Sequence, residues 1–335
     1  MQSRQSRRRI IKIKDPSGIW IDDLGQIQSR FVDDFKARFT SAQSDTFPVR
    51  VELHSLVSDA DNAQLIKPIH DLEIKEAIFQ MDRYKAPDSD GFGAAFFQDY
   101  WHIINKEVCH AIKTFFREGK LLKQINHTLI TLIPKVDNPS SPVHFRPISL
   151  CNTLYKIIAK IMVDRMRPII ERIVDPVRSA FVPKRSIHDN ILLAHEIMNR
   201  FHNMKGKKSW VAIKLDMKKA YDRVEWAFLF QTLTALGFHS KWVQLIKECV
   251  TTVSYSVIVN DEVCGFFKPT GGIRQGDPLS PYLFIICMEV LTRQLRQAQF
   301  QKKAGIGLKI ASTALKIPCV LFADDSLLFL SLIHI

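Results

Sequence analysis

Apolar residues along this chain recur at two periods, and the switches between them lay out the elements. Ile27, Phe31, Phe35 and Phe39 stand four apart and predict an amphipathic helix over 26–39. Further helices are predicted around 72–81 and over 94–116, with the turn-rich Lys85-Ala-Pro-Asp-Ser-Asp-Gly-Phe-Gly93 between them. Residues 128–134 form a β-branched run and predict a strand. Leu154, Ile157, Ile158, Ile161, Met162 and Met166 line one face of the next helix. Ser186 and Asp189 predict a capping-box start for a helix whose apolar stripe is Ile187, Ile191, Ala194, Met198 and Phe201.

The pattern sharpens towards the C-terminal end. Residues 210–215 predict a buried strand that ends on Asp216, followed by helices near 226–236 and 241–250. The runs 253–259 and 263–267 flank Asn260-Asp261 and predict a hairpin. Ser280-Pro281 predicts an N-cap and a first-turn proline for an apolar helix through Leu295. A strand near 315–322 runs into Asp324-Asp325, and 326–330 returns as its antiparallel partner.

Composition adds a direction. Lys and Arg number 47 against 34 Asp and Glu, a net charge of +13, which favours a polyanionic partner such as nucleic acid or an anionic membrane face. Six cysteines lie scattered without CxxC or paired His spacing, which argues against a zinc site or a disulfide framework. The N-terminus is Arg-rich with no apolar core of a signal peptide. The stretch 317–335 is strongly apolar, but Asp324 and Asp325 at its centre would cost roughly 2.5–3.5 kcal/mol each in a bilayer, so no membrane helix is expected there. The expectation is a soluble, intracellular chain without a membrane partner.

Three carboxylates carry the candidate chemistry. Asp216 ends an apolar strand, and Asp324 and Asp325 sit between Val320-Leu-Phe-Ala and Ser-Leu-Leu-Phe329. Adjacent like charges in an apolar setting repel unless a cation compensates them, and carboxylate oxygens suit Mg²⁺. Taken alone, Asp-Asp also serves as a water-facing turn. A strand-terminal Asp followed by a strand–Asp-Asp–strand hairpin is the arrangement with which polymerase palms hold two metals. Taken bare, Lys135 also fits a solvated surface lysine and Tyr221 a packed aromatic. The run Lys205-Gly-Lys-Lys208 reads as a solvated loop, and His188 and His195 as packing or surface residues.

Here the motifs converge. Asp216-Met-Lys-Lys-Ala-Tyr-Asp222, Arg274-Gln-Gly-Asp-Pro-Leu-Ser-Pro281 and Phe322-Ala-Asp-Asp325 resemble, in order, three catalytic motifs of reverse transcriptases from non-LTR (LINE-type) retrotransposons. Leu132-Ile-Pro-Lys135, Phe145-Arg-Pro-Ile-Ser-Leu150 and Ser179-Ala-Phe-Val-Pro183 resemble their fingers segments, and Lys85-Ala-Pro with Asp90-Gly-Phe resembles an upstream segment of plant elements. Lys184 stands where the family usually has Gly, so a turn needing positive φ is expected to be strained there.

The resemblance implies an α+β right-hand polymerase fold with an antiparallel palm sheet. Residues 1–64 would be a linker after a missing upstream domain, 65–204 the fingers, and 205–335 a truncated palm without a thumb, so that the chain as given is expected to be inactive or weakly active. It implies RNA-directed DNA synthesis with an RNA template, a DNA primer, dNTPs and two Mg²⁺ ions, or Mn²⁺ in their place. Asp216 and Asp324 would hold the metals with Asp325 beside them near the primer end. Lys135, Arg146, Tyr221, Gln275 and Gly276 would contact the incoming nucleotide, Tyr221 by excluding a ribose 2′-OH. A nuclear location is the corresponding expectation. Two other classes share part of the pattern: a non-catalytic nucleic-acid-binding remnant of a decayed element, and an intron-maturase-type reverse transcriptase. Viral RNA polymerases usually place Gly before Asp-Asp, where this chain has Ala323.

Overall fold

The computed structural model describes residues 9–41, 55–85, 90–203, 210–301, 305–309, 316–323 and 325–331. It is a mixed helix and sheet fold. A short hairpin, β1 (Ile13–Lys14) and β2 (Trp20–Ile21), leads into helix α1 (Leu24–Arg38). Asp23 caps α1 by accepting from the Gln26 amide at 2.9 Å. The predicted stripe is its buried face: Phe31 and Phe35 are fully buried, and each contributes roughly 1.5–3 kcal/mol of transfer free energy.

That face packs on a four-stranded sheet ordered β4-β3-β6-β7, made of β3 (His127–Pro134), β4 (Phe145–Cys151), β6 (Ser254–Val259) and β7 (Glu262–Phe267). Phe31 meets Phe145 edge-on at 5.2 Å, and Phe39 stacks on Tyr255 at 5.0 Å. The amphipathic helix expected within the linker thus contributes one wall of a core. The β6–β7 hairpin turns at Asn260 and Asp261 with φ of 52° and 68°, the paired positive values that a two-residue turn of this twist needs.

The main core is helical. Helices α2 (Asp59–Ile66), α3 (Asp71–Phe79), α4 (Ala94–Asp99), α5 (Trp101–Glu118) and α6 (Thr153–Ile173) pack with α8 (Trp226–Ala235), α9 (Ser240–Thr251) and α10 (Ser280–Phe300). The helix expected over 94–116 is broken at Tyr100. The break turns Gln98 inward, where its amide donates to Ile78 O at 2.8 Å and Met81 O at 2.9 Å and closes the end of α3. Ser280 is not the N-cap of α10. Leu279 holds that position, and Asp277 accepts from the Leu279 amide at 3.0 Å and the Ser280 hydroxyl at 3.2 Å.

A three-stranded antiparallel sheet ordered β5-β9-β8 stands apart from the first. It consists of β5 (Trp210–Asp216), β8 (Cys319–Phe322) and β9 (Asp325–Ser331). Helix α7 (Ile187–Asn203) covers one face, but not with the expected stripe. Asn190 and Ile197 are buried, with Leu193 and Phe201 beside them, whereas Ile187, Ile191 and Met198 are exposed. The helix is rotated because the Asn190 amide is needed inside: it donates to Val177 O at 3.2 Å and Leu321 O at 3.0 Å. Lys184 adopts φ 61°, the strained left-handed conformation expected of it. All six cysteines carry free thiols, and among the described residues no helix is long and apolar enough to cross a membrane.

Glu289 of α10 is buried at 1% exposure. One oxygen accepts from the Asp175 amide at 3.1 Å, and the other lies 3.0 Å from Arg293 Nε. Burial pushes its carboxyl up to about 7 from an ordinary 4.5, against the pull of these partners. The folded chain therefore keeps a proton that the unfolded chain releases, and stability falls as pH rises from about 4.5 through 7, by roughly 3 kcal/mol in all. Glu289→Gln is expected to remove that component, so its melting temperature should gain on the wild type between pH 5 and pH 8. Parallel melting-versus-pH curves for the two proteins would refute this assignment.

Candidate active site

The apolar pattern of 210–215 makes β5 a strand, and its last residue emerges at the end of the sheet. There Asp216 lies directly opposite Asp325 in the antiparallel register, with Asp325 also paired to Phe322 across the hairpin. Opposed Cα atoms in such ladders stand about 4.5–5.5 Å apart, so the two carboxylates can reach one cation. Asp216 is exposed and Asp325 half-buried. Asp324 lies outside the described residues, as does its expected approach to Asp216. Among the described residues no group of three ligating side chains forms; Asp216 and Asp325 are the pair they supply. Two adjacent carboxylates at an open sheet end fit a hard, oxygen-seeking divalent ion. Lys214 Nζ sits 3.1 Å from Asp325 Oδ1, a neighbouring counter-charge that sequence reading did not single out.

A second group gathers around Asp222. The chain after Asp216 makes a short 3₁₀ turn, Tyr221–Arg223, which buries Asp222 at 3% exposure. Burial pushes the Asp222 carboxyl up, opposed first by Arg38, then by Lys219 and Lys135. Burial and the nearby Arg38 and Arg146 in turn hold the Lys135 ammonium below its usual range. Lys219 is lowered by burial and Arg38 as well. Arg38 also pairs with Asp34 one turn back on α1. Arg38, Lys135, Arg146 and Lys219 thus gather near Asp222 and Asp34 as a net positive cluster, the electrostatics a polyphosphate seeks. Arg38, Lys219 and Asp222 had no role in the sequence reading. The clue available was Lys219-Ala-Tyr-Asp222 following the strand-terminal Asp216.

The loop 270–276 ties these parts together. The Gly272 amide donates to Val224 O at 2.8 Å, and Ile273 donates to Tyr221 O at 2.9 Å. Gln275 O accepts from the Ser149 amide of β4 at 2.7 Å, while Gln275 Nε2 donates to Asp222 Oδ1 at 3.4 Å. Gly276 has φ +101°, a conformation that favours glycine, and lies close to β4, where a Cβ would come 3.3 Å from Ser149 O. Gly272 is tighter still: a Cβ would meet the Phe39 ring at 2.6 Å and Asp222 O at 2.8 Å.

The structure therefore brings Gln275 and Gly276 against β4, the strand that carries Arg146, and Arg146 pairs in register with Ile133 of β3, two residues before Lys135. The Lys135 ammonium itself donates to Val143 O at 3.4 Å. Tyr221 is half-buried, its ring stacked on Phe284 of α10 at 5.1 Å and 16°.

Beneath the loop lies a buried polar knot. Arg274, 3% exposed, donates to Asn126 Oδ1 at 2.7 Å and Cys249 O at 3.0 Å, pairs with Asp277 at 3.4 Å and lies 3.8 Å over the Tyr155 ring. The Tyr155 hydroxyl donates to Asp277 at 2.8 Å.

Residues 133–334 match the family described as Reverse transcriptase (RNA-dependent DNA polymerase). Over 273 residues, 82% of this chain and 20% of the relative, the chain is 29% identical to the transposon TX1 uncharacterized 149 kDa protein of Xenopus laevis. It is also 29% identical over 211 residues to the retrovirus-related Pol polyprotein of the type-2 retrotransposable element R2DM of Drosophila melanogaster, covering 63% of this chain and 19% of that one. A 69-residue stretch, 21% of this chain, is 46% identical to an uncharacterized mitochondrial protein of Arabidopsis thaliana and covers 56% of it. The chain spans about a fifth of the length of the first two relatives. Since the matched region contains the strand pair bearing Asp216 and Asp325, the cationic pocket residues Lys135 and Arg146, and the loop of Gln275 and Gly276, the chain belongs to the reverse transcriptase family, as a domain of the kind carried by non-LTR retrotransposons.

Proposed function

We propose that this chain copies RNA into DNA, with Asp216, Asp324 and Asp325 as the catalytic carboxylates and residues 65–204 and 205–335 acting as the fingers and palm of a right-hand polymerase. The observation that carries the reading is Asp216 standing opposite Asp325 at the open end of the β5-β9-β8 sheet. Held by Asp216 and Asp324 with Asp325 completing the site, two Mg²⁺ ions, or Mn²⁺, would supply the charge that activates a primer 3′-OH and neutralises the leaving pyrophosphate. The primer oxygen attacks the α-phosphorus of a dNTP, a new P–O bond forms, and the bond to the β-phosphate oxygen breaks.

The chain's own residues orient this exchange. Lys135 and Arg146 face the triphosphate; the planar fork of Arg146 can donate two parallel bonds to one phosphate. Lys219 and Arg38 add positive charge to the same pocket, and Asp222 keeps these cations gathered in the absence of nucleotide. Gln275, held by Asp222, and Gly276, with no side chain, let the nucleotide base approach the backbone beside β4. A plant-type element as the source is supported by the 46% identity to the Arabidopsis protein.

Tyr221 is the proposed barrier to ribonucleotides. Stacking on Phe284 fixes its ring five residues beyond Asp216, where a sugar 2′-OH would collide with it. Tyr221→Ala should raise ribonucleotide incorporation at least tenfold relative to deoxyribonucleotide incorporation, in single-addition assays on an RNA-templated DNA primer. An unchanged ratio would reduce Tyr221 to a packing residue, and no template-directed addition by the wild type would sink the functional reading itself.

A further inference from the structure

The hairpin that presents Asp325 is poorly specified by its own residues. Phe322 pairs with Asp325, so the chain reverses sharply between them, and Ala323 is the described residue of that turn. Ala323 adopts φ +48°, a conformation for which such turns ordinarily recruit Gly or Asn. Something outside the hairpin must hold it.

That support comes from the segment between α6 and α7. Arg178 is completely buried, and its Nη1 donates to the Ala323 carbonyl at 3.3 Å. Its backbone forms an isolated parallel bridge with Leu321, and the Leu321 amide donates to Val177 O at 3.1 Å. Asn190 clamps the same junction by donating to both Val177 O and Leu321 O. The segment is itself rigid. Arg185 donates to three of its backbone carbonyls, Val174, Asp175 and Arg178, and to that of Glu171 in the last turn of α6, at 2.6–3.1 Å. Arg296 pairs with Asp175 from α10.

An arginine is an expensive residue to bury, since its charge cannot be shed as readily as that of lysine. Burial does lower its pKa, to about 10, with Glu289 as the first opposing charge. Among the described residues Nε and Nη2 of Arg178 have no hydrogen-bond partner, so its polar contact with the strained turn is the one that uses the guanidinium. A leucine would fill the space more cheaply but could not hold a carbonyl.

We propose that Arg178 is a positioning residue for the catalytic hairpin: by fixing the Ala323 carbonyl it sets the presentation of the Asp325 carboxylate opposite Asp216. This rests on the reading of that pair as a metal site. The role resembles that of partners that orient metal ligands from outside the coordination sphere, whose loss typically weakens metal binding about 10–100-fold.

The test uses the full chain and Mn²⁺ as probe, followed by electron paramagnetic resonance, with thermal melting in parallel. Arg178→Gln removes the charge, and Arg178→Lys keeps the charge and one donor. Arg178→Gln should weaken Mn²⁺ binding about tenfold, with Arg178→Lys in between. In primer extension the loss should fall on kcat, with the KM for dNTP unchanged, because the triphosphate pocket around Lys135 is separately anchored. Mn²⁺ affinities within twofold of the wild type in both variants, while Asp216→Asn abolishes binding, would overturn the positioning role alone. Wild-type binding that Asp216→Asn leaves untouched would overturn the metal-site reading and this inference together. Failure of both variants to fold would make Arg178 a core-stability residue and would equally overturn the proposal.

Discussion

Arg274→Met is expected to destabilise the chain by roughly 3–5 kcal/mol, the usual cost of stripping one partner from a buried ion pair. The side chain it removes satisfies Asn126 Oδ1 and Cys249 O and lies on the Tyr155 ring. Asn126 Oδ1 left without this donor costs about 1–3 kcal/mol, while Cys249 O keeps the Asn126 amide at 3.1 Å, and a desolvated cation–π contact is worth about 2 kcal/mol. The terms overlap, so they do not simply add. The larger effect is on Asp277, 5% exposed, whose carboxylate would lose its only adjacent cation among the described residues while still bonded to Tyr155, Leu279 and Ser280. A fall in melting temperature of roughly 4–7 °C should result. Pairing the change with Asp277→Asn should cost less than the two single changes summed, because the stranded charge is then gone. A single-variant fall of only a degree or two would mean that Arg274 is replaceable packing. Its position explains why the consequence should extend to function. Arg274 anchors the loop whose next two residues, Gln275 and Gly276, form the wall beside β4.

Asp216→Asn and Asp325→Asn should leave melting nearly unchanged and reduce single-nucleotide addition by about a thousandfold or more. The amide keeps the size of the side chain and removes the charge a divalent ion needs. Losing several kcal/mol of charge stabilisation at the transferring phosphate corresponds, at 1.36 kcal/mol per decade, to such a factor. Stability is spared because Asp216 is exposed and Asp325 half-buried, and because the Lys214–Asp325 pair, with Lys214 68% exposed, belongs to the class worth about 0–1 kcal/mol. Lys214→Ala is the instructive contrast. It frees an Asp325 oxygen that the ammonium otherwise occupies, so Mn²⁺ affinity should rise. If the two Asp variants keep activity within tenfold of the wild type, the pair is a structural turn.

What could be read from the sequence was whatever short-range pattern controls. The α1 stripe, the Asn260-Asp261 turn and the strand ending on Asp216 are each fixed by residues within a few positions of one another. Asp216 and Asp325 stand opposite each other because strand alternation and a hairpin leave little freedom of register, whereas the expected approach of Asp324 to Asp216 lies outside the described residues. The buried polar residues were not. Arg178, Asn190, Arg274 and Asp277 look like surface residues until partners more than a hundred positions away come into contact, as Ala323 does with Arg178 and Asn126 with Arg274. The misjudged face of α7 follows from the same cause. Ile187, Ile191, Ala194, Met198 and Phe201 suggested one stripe; of these Phe201 packs on the sheet, and Asn190, bonded to Val177 O and Leu321 O, brings a different face inward. Within the expected linker, Ile27, Phe31, Phe35 and Phe39 decide where α1 lies, although polar positions outnumber them.

The central claim is that Asp216 and Asp325 hold a divalent ion at the end of the three-stranded sheet. The most direct measurement replaces Mg²⁺ with Fe²⁺ in the presence of ascorbate and peroxide, so that hydroxyl radicals cut the backbone wherever the ion binds. Mass spectrometry of the fragments should locate cuts beside Asp216 and in the turn at Ala323, suppressed by excess Mg²⁺ and absent from Asp216→Asn. Cuts confined to other parts of the chain, or cuts at these positions that persist in Asp216→Asn, would contradict the claim.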